Sequence, residues 1–218
     1  MRKTGASLQS LIGISMDVHD QHPVMKAESV KSFGLVAMAA SAGGLAALSL
    51  ILAALPAKFP AAVVVVQHLD PHHHSLMAEI LSKRSPLQVK QAREGDRLVP
   101  GVVFIAPPDR HLLVNPDASL SLSQSEPVHF VRPSADLLFE SVAANYKKRT
   151  IAVVLSGTGV DGSTGVRAIK KMGGLVIAQD QSTSEFFGMP EAAILTGQVD
   201  FILPITEIAS ALIRWSAS

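Results

Sequence analysis

Residues Ala61 to Val66 form an unbroken apolar run, mostly valine, that stops at the polar pair Gln67-His68. β-branched side chains favour a strand, and a strand without a polar face has to be buried on both sides. Such strands occur in parallel sheets whose two faces are covered by helices. The run therefore predicts an α/β fold with a parallel sheet.

Further apolar segments of strand length occur along the chain, and helical patterns separate most of them. Leu45, Leu48 and Ile51, for example, recur at the spacing of one helix face. The predicted strands are 34–38, 61–66, 87–91, 150–155, 175–179 and 200–203, and the predicted helices are 45–55, 75–83, 133–146, one ending at 172, 190–195 and 206–215. Together they indicate a doubly wound, mostly parallel sheet flanked by helices.

The region from Arg93 to Gln124 has a different pattern, in which turn signals separate short apolar segments. Gly95-Asp96, Pro100-Gly101 and Pro107-Pro108-Asp109 are such signals. We therefore predict a small antiparallel insertion here, a meander or hairpins, from the strands 102–106, 111–114 and 120–122.

The length of 218 residues is that of one domain. We expect a flexible N-terminal tail over 1–32, where no periodicity is sustained, and one folded domain over 33–218. Pro56, Lys58 and Pro60 interrupt the longest apolar runs. None of these runs approaches the roughly 20 residues that cross a bilayer, so no membrane insertion is expected.

Charge and cysteine content exclude several classes of function. The formal net charge is +1 and the basic residues are scattered, so the chain has no electrostatic footprint for nucleic acid. The absence of cysteine excludes disulfides, thiolate catalysis and cysteine-based zinc sites. It also fits a reducing compartment, and we expect the cytoplasm.

Three polar residues, Ser41, His68 and Asp161, each follow a predicted buried strand. The carboxyl ends of parallel strands share one edge of a sheet, where ligands bind. A hydroxyl nucleophile, an imidazole base and a carboxylate that orients the base are what acyl transfer needs. Small residues around Ser41 would leave its hydroxyl accessible, and the N–H of Ala42 at the start of a helix is a candidate oxyanion donor.

Each of these residues also has a purely structural interpretation that the local sequence leaves open. Ser41 and Asp161 precede helices, where both residue types are common N-caps. His68 is equally compatible with a hydrogen-bonded loop histidine. The triplet His72-His73-His74 is read as a solvated loop, because no HExxH spacing or cysteine accompanies it, and we predict neither a metal nor a cofactor.

From Gly34 to about Arg214 the chain resembles the catalytic domain of chemotaxis protein-glutamate methylesterases of the CheB type. The resemblance is carried by six segments in order. They are Ala39-Ala40-Ser41-Ala42-Gly43-Gly44-Leu45, Val65-Val66-Gln67-His68-Leu69, Phe104-Ile105-Ala106-Pro107-Pro108, Arg132-Pro133-Ser134-Ala135-Asp136, Leu155-Ser156-Gly157-Thr158-Gly159-Val160-Asp161-Gly162 and Phe187-Gly188-Met189-Pro190.

The resemblance implies that Ser41 is the nucleophile, His68 its base and Asp161 the orienting carboxylate of an esterase. It also implies that the N–H of Thr158 joins that of Ala42 in the oxyanion hole. The implied substrate cleft is lined by Gly157, Gly159, Met189 and Pro190.

The implied reaction is demethylation of glutamate methyl esters on chemoreceptors, with deamidation of receptor glutamines as a second activity. The implied partners are the methylated cytoplasmic helices of chemoreceptors, and a separate response regulator is left open as another. Two departures from the family are expected to matter. Ala39 stands where the family usually has glycine, two residues before Ser41, so the turn is expected to accommodate a methyl group or to relax slightly. The segment before Phe33 is too short for the receiver domain of the family's best-known members.

Two other kinds of function remain as alternatives. A nucleotide-binding protein would use a glycine-rich turn between strand and helix, but the first turn lacks both the GxGxxG arrangement and a Walker lysine. A non-catalytic adaptor that docks on a receptor would keep the fold, and Ala39 is the feature that favours it. The three polar residues at strand ends favour the hydrolase instead.

Overall fold

The computed structural model describes residues 34–69 and 75–216, in which strands and helices alternate as the apolar runs predict. The strands are β1 (Leu35–Ala40), β2 (Ala62–Gln67), β3 (Gln88–Gln91), β4 (Val102–Ile105), β5 (His111–Val114), β6 (Leu120–Ser123), β7 (Thr150–Val154), β8 (Leu175–Gln179) and β9 (Phe201–Leu203). The helices are α1 (Gly44–Ala54), α2 (Met77–Ser82), α3 (Ala135–Tyr146), α4 (Ser163–Lys171), α5 (Gly188–Leu195) and α6 (Ile205–Ser216). The tail predicted over 1–32 and the triplet at 72–74 lie outside the described residues.

Seven strands form one parallel sheet in the order β3-β4-β2-β1-β7-β8-β9, and β5 and β6 form a separate antiparallel hairpin. The predicted fold class is thereby confirmed. The assignment of 102–106 to the antiparallel insertion was wrong, because β4 lies in the parallel sheet between β2 and β3. Val103, Phe104 and Ile105 are buried, as a strand inside the sheet requires, and the turn signals around them mark loop positions without identifying the partner strand.

Side chains that alternate along the strands enter two separate cores, one on each face of the sheet. Val36 and Met38 of β1 pack with α1, α2 and α6, whereas Leu35 and Ala37 pack with α3, α4, α5 and the β5–β6 hairpin. Both faces of β1 are fully buried, which explains its lack of polar residues. In the described part of the chain, no helix is long and apolar enough to span a membrane.

The strand order changes direction at β1. The chain leaves β1 through α1 to reach β2 on one side, and β7 lies against β1 on the other. In sheets of this kind the crevice outside the carboxyl ends of the strands, at such a reversal, is where ligands bind. The residues that follow β1, β2 and β7 are Ser41, His68 and the loop that leads to Asp161. The fold therefore brings the three predicted positions to one edge of the sheet.

Candidate active site

Ser41 is the first residue after β1 and begins a tight turn into α1. Its N–H donates to the Ser156 carbonyl oxygen after β7 at 3.0 Å, and its own carbonyl accepts from the Gly44 N–H at 2.9 Å. Gly43 adopts the left-handed conformation, with φ of 76°, that a glycine tolerates without strain. The Ser41 side chain is partly exposed and borders a groove of about 630 Å³. Its hydroxyl is thus reachable from solvent at the switch point of the sheet.

Ala39 lies inside β1 and not in the turn that follows it. It pairs in register with Val66 on one side and Val154 on the other, and its methyl group is completely buried. The expectation that the turn itself has to accommodate this methyl group was therefore wrong. The methyl group occupies the core on the α3 and α4 face of the sheet, next to other small side chains.

His68 leaves β2 beside Ser41. Ala40 and Gln67 are the last pair of the β1–β2 register, and the His68 N–H continues the ladder by donating to the Ala40 carbonyl at 3.1 Å. Ser41 and His68 therefore occupy neighbouring positions at adjacent strand ends, where strands lie about 4.8 Å apart. Residues at equivalent register positions of a parallel pair present their side chains to the same face.

Gln67 holds these two strand ends together. Its side-chain Nε2 donates to the carbonyl oxygens of both Ser41, at 2.7 Å, and His68, at 3.0 Å. The residue is 5% exposed, and its packing against α1 explains the glycine at position 44, where a Cβ would lie 2.1 Å from Gln67 Oε1. The sequence reasoning treated Gln67 only as the polar end of a strand and missed this role.

His68 and Asp161 are in direct contact. His68 Nε2 lies 2.8 Å from Asp161 Oδ2, and the two side chains are 11% and 3% exposed. When Nε2 carries the proton and donates to the carboxylate, Nδ1 is the unprotonated nitrogen that can accept a proton from a hydroxyl. Within residues 34–69 and 75–216 no hydrogen bond joins Ser41 Oγ to His68. The structure thus pairs the His68 imidazole with the Asp161 carboxylate and places the Ser41 hydroxyl at the neighbouring strand end.

The Asp161 carboxylate sits at the amino end of α3, where four donors surround it. Oδ1 accepts from Ser134 Oγ at 2.8 Å and from the Asp136 N–H at 3.1 Å, and Oδ2 accepts from the Ala135 N–H at 2.5 Å as well as from His68. Burial acts to raise the pKa of Asp161, but the hydrogen bonds from His68, Ala135, Ser134 and Asp136 outweigh it and hold the pKa below the ordinary value. Asp161 is therefore an anion able to fix the imidazole.

Asp136 makes the reciprocal contact. From the first turn of α3 its Oδ1 accepts from the N–H groups of Gly162, at 2.9 Å, and Gly165, at 2.7 Å, at the amino end of α4. Asp161, which lies just before α4, thus caps the amino end of α3, and Asp136 of α3 caps the amino end of α4. Burial raises the pKa of Asp136, the Gly165 N–H opposes that rise, and the nearby Asp161 charge adds to it. The sequence marked this residue only as part of a motif.

The two predicted oxyanion donors belong to the turns that flank Ser41. Among the described residues, neither the Ala42 N–H nor the Thr158 N–H has a backbone acceptor. The Ala42 carbonyl accepts from Ser156 Oγ at 2.8 Å, which ties the two turns together. Thr158 and Gly159 border a cleft of about 220 Å³ that also contains His68 and Asp161. Both N–H groups are therefore available to a ligand.

Met189 and Pro190, expected to line the cleft, are instead buried behind it. The Met189 N–H donates to the Gly157 carbonyl at 2.8 Å, and a Cβ added at Gly157 would lie 2.4 Å from Met189 Sδ. The same Cβ would lie 2.8 Å from the Cβ of Ser41. Gly157 is thus the point where the turn after β7 touches the candidate nucleophile, and the buried Met189 packs against the other side of this glycine.

Gly157→Ala is expected to slow the labelling of Ser41 by a fluorophosphonate probe on the order of 100-fold. The added Cβ would collide with Ser41, which cannot move away as the end of a flexible side chain can, and displacements of about 1 Å at reacting groups have effects of this size. Overpacking should also lower the free energy of unfolding by about 1–3 kcal/mol. Gly34→Ala is the matched control, since its Cβ would meet nothing closer than 3.6 Å. Probe labelling and thermal unfolding of both variants check the prediction, and an unchanged labelling rate for Gly157→Ala would contradict it.

Acidic and imidazole side chains in the described part of the chain are not arranged in any group of three or more that could hold a metal ion. The histidine triplet at 72–74, which was predicted not to bind a metal, lies outside that part. What the site contains is a hydroxyl, an imidazole hydrogen-bonded to a buried carboxylate, and two unpaired backbone donors on adjoining turns. These are the groups that acyl transfer through a covalent intermediate requires.

Known proteins share this fold and are similar in sequence to this chain. The family model for CheB methylesterase matches residues 36–212. The crystal structure titled Thermotoga maritima CheB methylesterase catalytic domain superimposes with a TM-score of 0.81 at 40% identity, covering 84% of this chain and 98% of that one.

Relatives from three bacteria are similar over more than four-fifths of the chain. A Symbiobacterium thermophilum protein is 41% identical over 180 residues and a Pseudomonas syringae protein is 46% identical over 181, and both are named protein-glutamate methylesterase/protein-glutamine glutaminase. The matched region covers 50% and 54% of those two proteins, so this chain spans about half their length. A Leptospira interrogans protein named provisionally for the same activities is 38% identical and 95% covered. The chain belongs to the CheB methylesterase family.

Proposed function

We propose that this chain hydrolyses glutamate methyl esters on chemoreceptors, with Ser41 as nucleophile, His68 as general base and Asp161 as the group that orients the imidazole. The observation that carries the proposal is the 2.8 Å contact between His68 and the buried Asp161 at the strand end next to Ser41. The donors at the start of α3 already satisfy the buried carboxylate, so a scaffold or adaptor has no need for an imidazole on the same group. The two activities named for the relatives fit this site.

In the first half of the reaction His68 Nδ1 takes the proton of Ser41 Oγ as that oxygen attacks the ester carbonyl carbon. The carbonyl oxygen becomes an oxyanion, which the N–H groups of Ala42 and Thr158 stabilise. The tetrahedral intermediate then collapses by breaking the bond to the methoxy oxygen, and the His68 proton passes to that oxygen. Methanol leaves, and the glutamyl group remains as an ester of Ser41.

In the second half His68 removes a proton from water, and the resulting hydroxide attacks the glutamyl ester carbon. The bond to Ser41 Oγ breaks, the serine regains a proton from His68, and the glutamic acid side chain is released and loses its own proton to solvent. Asp161 accepts the Nε2–H throughout, so that Nδ1 stays directed at the reacting oxygen and the imidazolium is stabilised when it forms.

The same groups act on a glutamine side chain with ammonia as the leaving group. Only the atom that accepts the His68 proton changes, from the methoxy oxygen to the amide nitrogen. We therefore propose deamidation of receptor glutamines as a second activity of this site. The proposed partners are the methylated cytoplasmic helices of chemoreceptors, with a separate response regulator as a candidate partner for control, and the proposed location is the cytoplasm.

The chain is expected to release methanol from a methylated receptor fragment and ammonia from the corresponding glutamine form. Both products should appear in step with the loss of methyl ester or amide, measured by gas chromatography and by an enzyme-coupled ammonia assay. A receptor fragment carrying unmodified glutamate is the matched control and should yield neither product. Release of neither product from the modified fragments would leave a binding role in place of the proposed reaction.

A further inference from the structure

Residues Val128 to Val131 form a miniature hairpin beside the site that the proposed reaction does not use. The N–H of Val128 donates to the Val131 carbonyl at 3.1 Å, and that of Val131 donates back at 2.9 Å. The two residues at the tip, His129 and Phe130, have φ values of 50° and 65°. Two-residue turns with positive φ at both positions favour Asn and Gly, so a His-Phe tip is strained.

Phe130 projects fully into solvent, with a relative exposure of 102%. It contributes nothing to either core of the protein, and an exposed aromatic ring at a strained position has no stabilising role in the isolated chain. Strained backbone of this kind is concentrated at ligand-binding and active sites. The chemistry of the tip therefore points to a contact outside this chain.

The hairpin is held in place by polar contacts at its tip and base. His129 Nε2 lies 3.2 Å from the buried Asp136 Oδ2, at ion-pair distance when the imidazole is protonated. Arg132 donates to Asp109 Oδ1 from both Nε, at 2.9 Å, and Nη2, at 2.6 Å, and its Nη1 donates to the carbonyl of Ser125 at 2.9 Å. The ring of Phe130 is therefore presented by a braced turn.

Phe130 also borders the site itself. It lines a cleft of about 430 Å³ together with His68 and Leu69, and the smaller cleft of about 220 Å³ together with His68 and Thr158. Val160, which is 50% exposed, lines the smaller cleft as well. A polypeptide that enters the smaller cleft to reach His68 meets both of these apolar side chains.

We propose that Phe130 is a specificity-determining residue, which packs on an apolar side chain of the receptor polypeptide next to the modified glutamate. The inference rests on the proposed function, since it names the occupant as the protein that carries the ester. A small ester binds next to His68 without needing the exposed ring of Phe130, whereas neighbouring side chains on one face of a helical substrate lie about 5–6 Å apart and extend across that ring. Phe130 thus distinguishes a receptor from any small ester of the same chemistry.

Phe130→Gly is the decisive variant, because glycine adopts positive φ without strain and the turn is preserved while the ring is lost. We expect KM for a methylated receptor fragment to rise about tenfold, the size typical of losing one aromatic anchor at a protein interface. kcat on that fragment, and hydrolysis of p-nitrophenyl acetate, should stay within about twofold. The unfolding temperature should be unchanged or higher, and Phe130→Tyr should restore the low KM.

Val99→Ala is the matched control, since Val99 is 49% exposed but precedes β4 at the opposite end of the sheet. An unchanged receptor KM in Phe130→Gly, or an equal loss on receptor and small ester, would overturn the proposal. Absence of methanol release by the unmodified protein would instead reject the proposed function, and with it this inference. The two failures are distinguished because the first leaves the receptor activity of the unmodified protein intact.

Discussion

Ser41→Ala is expected to lower demethylation of a receptor fragment on the order of 10⁵-fold or more, to the level of catalysis that the remaining groups provide. Without the hydroxyl no glutamyl-enzyme forms, and His68 has no proton to remove from a nucleophile. Because Ser41 Oγ has no hydrogen bond to His68 within the described residues, its removal should change the free energy of unfolding by no more than about 0.5 kcal/mol.

Two measurements check this expectation. Methanol release gives the rate, and labelling with a fluorophosphonate probe followed by peptide mapping identifies the reactive serine. Ser210→Ala is the matched control, since Ser210 is exposed on α6, which packs on one broad face of the sheet. Ser210→Ala should react with the probe and release methanol from the receptor fragment at the same rates as the unmodified protein. Persistent labelling or substantial demethylation by Ser41→Ala would assign the nucleophile elsewhere.

Asp161→Asn is expected to reduce kcat about 10⁴-fold, the effect seen when an orienting carboxylate of this type becomes an amide. The new NH2 group has to face either His68 and the Ala135 N–H or Ser134 and the Asp136 N–H, where the carboxylate now accepts. An NH2 group that faces His68 removes the preferred tautomer of the imidazole, and one that faces Ser134 leaves a neutral oxygen on His68, which stabilises the imidazolium less. The unpaired buried donors should also cost about 1–3 kcal/mol of unfolding free energy.

The stability difference between Asp161→Asn and the unmodified protein has a defined pH dependence. The pKa of Asp161 is lowered in the folded state, so its contribution is fully present above the ordinary value of 3.8 and is lost as pH falls through the folded-state pKa. The difference in unfolding free energy should be constant above about pH 5 and shrink in more acidic solution. Denaturant unfolding between pH 3 and pH 8 measures it, with Glu207→Gln, a change at an exposed position of α6, as the control. A difference that grows on acidification would contradict the assigned contacts.

Much of the fold could be predicted because the sheet is buried on both faces. The apolar runs of β1, β2 and β7 have no polar positions and stop at residues that the sheet presents at its edge, so Ser41, His68 and the loop of Asp161 were identified by where strands end. The partner of each strand is not encoded locally. β4 was therefore misassigned, since its four residues read equally well as one arm of a hairpin or as an interior parallel strand.

The supporting contacts of the site could not be read from the sequence, because each joins segments far apart in the chain. Gln67 appears as the end of a strand until its amide is seen between the carbonyls of Ser41 and His68. Asp136 appears as an acid in the first turn of a helix, and the N–H groups it accepts from belong to residues 26 and 29 positions later. Met189 matched a motif, but its burial behind Gly157 depends on packing.

Asp136 and Asp161 each place a carboxylate at the start of the other's helix, so Asp161, the proposed orienting acid, is also part of the joint where α3 and α4 pack together. Gly165 lies in that joint, where a Cβ would come within 2.6 Å of Phe139 Cβ and 3.1 Å of the Asp136 backbone. A change in the separation of α3 and α4 therefore alters the geometry around the imidazole even when no reacting group is touched. Alignment of the proposed catalytic groups therefore depends on the spacing of two helices whose packed surfaces lie inside the protein.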